Sequence, residues 1–224
     1  MAQDKGRTAP KAAAPKAAAA RGGYAVGDAR RQKILDTAVE HFAQWGFHAS
    51  SLARIANDCG ITQGGLLHHF RSKEDLLLSV LAQSEQHDVE RLFSGSAGEV
   101  TSVAVHFAAV VALAGDNARR PGLVRMYNTL VGESGNPGHP AHAYFRQRYE
   151  RVLGYSVDLL RAGVARGEVR PDTDCEAVGR ETIAVMDGFQ IQWVLDPEAV
   201  DMAVLLRGYL DRRLREITVA GAGL

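Results

Sequence analysis

The chain has 224 residues, 46% of them hydrophobic, enough to bury the core of one or two domains. Its 26 Lys and Arg residues balance 26 Asp and Glu residues, which excludes the global basic field of a non-specific nucleic-acid binder. Any affinity for DNA must therefore come from local arrangement. The two cysteines, Cys59 and Cys175, lie far apart without metal-ligand spacing and are expected to be buried or incidental thiols. No apolar run approaches the roughly 18 residues that span a membrane. The basic N-terminus lacks the apolar stretch of a secretory signal, so a cytoplasmic location is expected.

Residues 1–27 are dominated by Ala, Pro, Lys, Arg and Gly and hold almost no large apolar side chain, so disorder is expected. Lys5, Arg7, Lys11, Lys16 and Arg21 stand there against Asp4 alone. The segment is either a solvated tail or a basic arm that touches DNA phosphates or the minor groove. A first helix is expected from an N-cap at Asp28 to Trp45, stopped by Gly46. Ile34, Leu35, Ala38, Val39, Phe42 and Ala43 form its apolar face, with Arg30, Arg31 and Lys33 on the polar one.

The next stretch, Ser51 to Lys73, reads SLARIANDCGITQGGLLHHFRSK. Leu52, Ile55 and Ala56 repeat at helical spacing behind an N-cap at Ser51. Gly60 can take the left-handed conformation that ends a helix and turns the chain, and Thr62 then caps a second short helix. Two short helices joined by a Gly-containing turn form a helix-turn-helix, whose second helix enters the DNA major groove by its N-terminal end. Gly64 and Gly65 each cost such a helix about 1 kcal/mol against Ala, which suggests that the backbone must approach something closely. Ser72 and Asp75 then form a capping box for a helix carrying Leu76, Leu77, Val80 and Leu81.

This segment, from about Arg30 to Leu81, resembles the DNA-binding domain of TetR-family transcriptional regulators. The residues that carry the likeness are Ile55-Ala56, Gly60-Ile61-Thr62, Leu66, His68-His69-Phe70 and Ser72-Lys73. The resemblance implies DNA contacts at Ser51, Thr62, Gln63, Gly64, His68 and Lys73. The chemistry agrees: Gln can bond both N6 and N7 of adenine, a Thr hydroxyl can reach phosphate, and Lys73 would add a phosphate charge. Leu67 stands where the family often has Tyr and cannot donate to a phosphate. Adjacent His68 and His69 point about 100° apart on a helix and cannot face one ion together, so no metal is expected. No cofactor is implied.

From Glu99 onward the pattern is helical without strand-like alternation, so an all-α fold is expected. One helix carries Val100 to Val111, the next starts near Pro121, and Pro140 suits the first turn of a long helix ending near Gly167. Asp174 caps another through Trp193, and Asp196-Pro197 stops it and starts the last, to about Arg215. Met126, Tyr127, Phe145, Tyr149, Phe189, Gln190 and Trp193 mix aromatic, thioether and amide groups, which suits either a pocket for a small, largely apolar effector or an ordinary helical core. The last two helices are the candidates for a homodimer contact, because two recognition helices must be held about 34–36 Å apart. Gly188 permits close helix approach there, while Ile191 and Leu195 supply apolar contact.

The expected organisation is thus a basic arm over 1–27, a DNA-binding domain over 28–75 and an effector-binding and dimerisation domain over 76–224. The implied function is a ligand-responsive repressor of a palindromic double-stranded operator. An activator or corepressor-dependent regulator would have the same fold. A helical enzyme drafting Asp187, Glu133 and His139 as acid–base groups is the rival from another class, but no nucleophile, phosphate loop or metal constellation accompanies them, so no catalytic residue is assigned.

Overall fold

The computed structural model describes residues 17–93 and 102–224. Within them the chain forms nine helices: α1 Ala17–Ala49, α2 Leu52–Asp58, α3 Gln63–His69, α4 Lys73–Phe93, α5 Val103–Ala118, α6 Pro121–Glu133, α7 His142–Ala165, α8 Cys175–Leu195 and α9 Met202–Ile217. Among the described residues the only β pairing is a single bridge, Val169 with Thr218, that ties the loop after α7 to the end of α9. The fold is all-α, and no helix of the described residues is long and apolar enough to cross a membrane.

Local chemistry explains most boundaries. Ser102, Asp174 and Asp201 accept the backbone N–H of Val105, Ala177 and Val204 at 3.2, 3.0 and 3.0 Å, which satisfies a free donor at each helix start. Pro121 sits in the first turn of α6, where its missing N–H costs nothing. Two expectations need correction. Residues 17–27 are not disordered but form the first turns of α1, because the Ala17–Ala20 run has the best helix propensity of any residue type. Residues 1–16, the rest of the expected basic arm, lie outside the described residues. The last helix starts at Met202 under an Asp201 cap, not at Asp196-Pro197, since Asp196 accepts the Ala199 N–H and holds a separate turn.

Gly46 breaks α1 as expected: its φ of 68° and ψ of −174° kink the helix and leave one short turn beyond. The apolar face of α1 buries Ile34, Leu35, Ala38 and Phe42 against Ile55 of α2, Leu66 of α3 and Leu76, Leu77 and Leu81 of α4. That core does not stop at the expected domain boundary. Met126 and Leu130 of α6, Ala141, and Phe145 of α7 belong to it, and α6 is the most extensive neighbour of α1. A second core gathers Val103 and Phe107 of α5, Leu159 and Leu160 of α7, Val178 and Met186 of α8, and the Met202, Leu206, Leu210 and Leu214 stripe of α9. Each fully buried Leu of that stripe stabilises the fold by about 1.5–3 kcal/mol.

Candidate nucleic-acid interface

The reading head is built from α2, the turn and α3. Gly60 turns the chain with φ of 71°, and the Ile61 N–H donates back to the Ala56 carbonyl at 3.0 Å, which closes the end of α2. Ile55, Ala56 and Leu66 bury the inner sides of the two helices, and Phe70 closes the end of α3. Thr62 accepts the Gly65 N–H at 3.1 Å, so its Oγ1 caps α3 and keeps only its own proton to donate outward. Ser51 occupies the N-cap position of α2 with an extended backbone, but its side chain makes no cap bond and the hydroxyl is left for another partner. Gln63, Gly64 and His68 all lie exposed on the outer side of α3. Of the six expected contact residues, Thr62, Gln63, Gly64 and His68 are exposed along α3 and its cap, and Ser51 is half-buried at the start of α2.

Lys73 does not join them as a free charge. Its Nζ donates to the carbonyls of Phe47, His48 and Ser50 at 2.9, 3.2 and 3.0 Å and sits 4.4 Å from the centre of the Phe47 ring. An ammonium has three protons, and all three serve the carbonyls at the end of α1. In this arrangement Lys73 forms a cap that pins the start of α4 to the end of α1. The α4 start is capped in turn: Ser72 accepts the Asp75 N–H at 3.1 Å and Asp75 accepts the Arg71 N–H at 2.8 Å.

The kink in α1 meets the second domain at Glu133, the last residue of α6. Breaking the helix at Gly46 frees the Phe47 N–H, and Glu133 Oε2 accepts it at 2.8 Å. His139 lies beside them, its Nδ1 accepting the Ala141 N–H at 3.2 Å, which places its proton on Nε2, 3.4 Å from the same Glu133 oxygen. Burial lowers the His139 pKa, against the opposing pull of the Glu133 carboxylate, so the ring is neutral near pH 7. Pattern reading missed this junction, because a lone Glu at a helix end and a His in a Pro/Gly loop carry no periodic signal.

The seven residues expected to line an effector pocket do not all come together, although the Tyr127 and Phe145 rings meet with their centres 5.7 Å apart. Met126 and Phe145 are packed into the first core, and Trp193 into the second. The Tyr149 hydroxyl donates to Asp187 at 2.7 Å, and burial raises the pKa of both groups. Tyr127 reaches the Tyr144 hydroxyl at 3.3 Å, while Phe189 and Gln190 are half-buried on α8. Two open surface depressions, one beside Trp45 and Asp58 and one beside Arg161 and Cys175, contain none of the seven. What the α4–α6–α7 junction holds instead is a polar network. The Tyr144 hydroxyl shares its one proton between the Leu81 carbonyl and Glu85, each 3.0 Å away, Arg151 pairs with Glu85, and Asp88 lies between Arg120 and Arg148. Arg148 stacks 5.3 Å over Tyr127.

An exposed recognition helix on a three-helix head, joined to a second helical domain through a shared core, is the architecture of a one-component DNA-binding regulator. Residues 34–80 match the sequence model of the bacterial regulatory proteins of the tetR family, and residues 107–215 match that of the BetI-type transcriptional repressor C-terminal domain. The HTH-type transcriptional regulator SrpR of Pseudomonas putida is 31% identical over 146 residues, 65% of this chain and 66% of that protein. The fatty acid metabolism regulator protein of Bacillus subtilis is 25% identical over 190 residues, 80% of this chain and 91% of its own. A solved structure of the SmeT–triclosan complex shares the fold with a TM-score of 0.75 at 20% identity, over 88% of this chain and 95% of that one. The chain belongs to the TetR family of transcriptional regulators.

Proposed function

We propose that the chain acts as a homodimeric, ligand-responsive repressor that binds a palindromic double-stranded DNA operator through Ser51, Thr62, Gln63, Gly64 and His68. The observation that carries this is the outer side of α3, where Gln63, Gly64, Leu67 and His68 stand exposed at a position the helix-turn-helix geometry aims at the major groove. Acting on DNA places the protein in the cytoplasm. The homodimer would form through α8 and α9, which leave Ile191, Leu195 and Val204 exposed by 52, 80 and 64%. A Cβ built on Gly188 meets nothing within 4 Å, so no packing inside the chain accounts for that glycine, whereas a partner helix would.

The effector would be a small, largely apolar molecule entering between α6, α7 and α8 and displacing the Tyr149–Asp187 and Tyr127–Tyr144 contacts. The regulator of fatty acid metabolism among the relatives is in keeping with an apolar effector. Ligand weakens operator binding only if it favours the conformation that does not fit DNA. The route to the head is short, because α6 ends at Glu133, on the Phe47 N–H.

Selection of bound duplexes from random sequence, followed by a ligand screen for release, tests this. The expected result is a palindromic site whose binding falls on adding an effector. Absence of any sequence preference sinks the regulator, and tighter binding with ligand identifies a corepressor-dependent protein or an activator instead. Glu133 and His139, two groups of the enzyme alternative, lie at the α1 kink, where Glu133 accepts the Phe47 N–H and the His139 ring meets Phe47.

A further inference from the structure

We propose that Leu67 reads a thymine in each operator half-site through the C5-methyl group of the base. The proposal rests on the DNA-reading role of α3 and deepens it. Leu67 is 40% exposed, and it belongs neither to the buried core of the head nor to the half-buried residues packed against that core. The inner side of α3 is already filled by Leu66, so folding makes no use of a second leucine there. Helical side chains lean towards the N-terminus and cover the turn before their own Cα. One turn back from Leu67 stands Gly64, where a Cβ would meet only Thr62 Oγ1, at 3.9 Å. The apolar side chain therefore leans over a bare stretch of helix at the end that enters the groove.

The chemistry of the groove then selects the contact. Gln63 and His68, the other exposed side chains beside it, carry hydrogen-bonding groups, but Leu67 has only carbon and hydrogen. It can neither donate to a phosphate nor pair with a base-edge donor or acceptor. The major groove offers one apolar feature on its base edges, the thymine methyl. The same bareness at Gly64 gives depth, since a side chain there would hold the helix away from the bases. A hydrogen-bonding tyrosine at position 67 would favour phosphate, so the leucine moves this position from holding the backbone to choosing a base.

The test uses the full-length protein and its selected operator. Each thymine is replaced in turn, symmetrically in both half-sites, by deoxyuridine, which lacks only the methyl. Wild type should lose roughly fourfold in affinity per half-site at one thymine position, the size expected for burying a single methyl-sized group. Leu67→Ala should bind the thymine and deoxyuridine operators equally at that position, while Leu67→Met, which keeps an apolar side chain, should retain the preference. If deoxyuridine costs nothing at every position, or costs Leu67→Ala as much as wild type, the assignment to Leu67 falls while the DNA-binding function stands. If no operator can be selected at all, both fall.

Discussion

Lys73 shows how a side chain that carries a family signature can also serve as a structural cap. Its ammonium closes three carbonyls where α1 ends, so its removal would leave those groups to water and free the start of α4. Lys73→Ala should lower stability by about 2 kcal/mol, read as a drop in the urea midpoint, because hydrogen bonds from a charged donor are each worth about 1.5–3 kcal/mol and are not additive. The slope of log affinity against log salt should stay as in wild type, whereas a lost phosphate contact would reduce it by about one. A second residue sets a pH limit. His106 is buried on α5, with its ring 5.3 Å from Tyr155, and burial lowers its pKa to about 4. The ordinary value is about 6.5, so as pH falls the unfolded chain takes up the proton first. The stability that rests on neutral His106 is fully present above pH 6.5 and is lost as pH falls to about 4, a change on the order of 3 kcal/mol. His106→Gln should flatten that part of the stability profile in thermal or urea denaturation.

At the scale of an element, α3 is a helix built against its own propensity. Ala at position 64 would find open space and a compatible backbone, so Gly64→Ala should raise stability by up to about 1 kcal/mol. The same change should weaken operator binding, and opposite signs in denaturation and in a binding titration would mark the glycine as functional. The helix-turn-helix was legible in the sequence because caps, the Gly60 turn and apolar spacing all speak within a window of some twenty residues. The start of α1 was not legible in the same way. Composition of the first 27 residues pointed to disorder, yet Ala17–Ala20 propagate a helix that the strong periodicity after Asp28 has already nucleated. The seven aromatic, thioether and amide residues of the second domain were correctly placed on helices. Spacing along each helix fixes a face, but not which neighbouring helix that face meets, and here it sends Met126 and Phe145 to one core and Trp193 to the other.

For the whole molecule, the proposed dimer makes the outward surface of the last two helices the place where two heads would be held together. The inner stripe of α9 is consumed by its own chain, which leaves Leu195 and Val204 for a partner. Leu195→Glu combined with Val204→Asp should give a folded monomer by light scattering, with helical content unchanged by circular dichroism. Its operator affinity should fall by at least a hundredfold, because a single head reads too few base pairs. Intact dimer and full affinity in the double variant would place the interface elsewhere.

The core that α1 shares with α6 and α7 has a consequence for how this protein can be taken apart. Cutting between residues 75 and 76 would strip Leu76, Leu77, Val80 and Leu81 from the head along with Met126, Leu130, Ala141 and Phe145, all of them buried in the same cluster. The head is therefore not a detachable module but one end of a continuous body, and heat should melt it together with its neighbours in a single transition rather than ahead of them. A hybrid that grafts this head onto another sensor would inherit an open apolar seam unless α6 and the start of α7 travelled with it. Operator choice and effector response can drift apart in the sequence only as far as that seam allows.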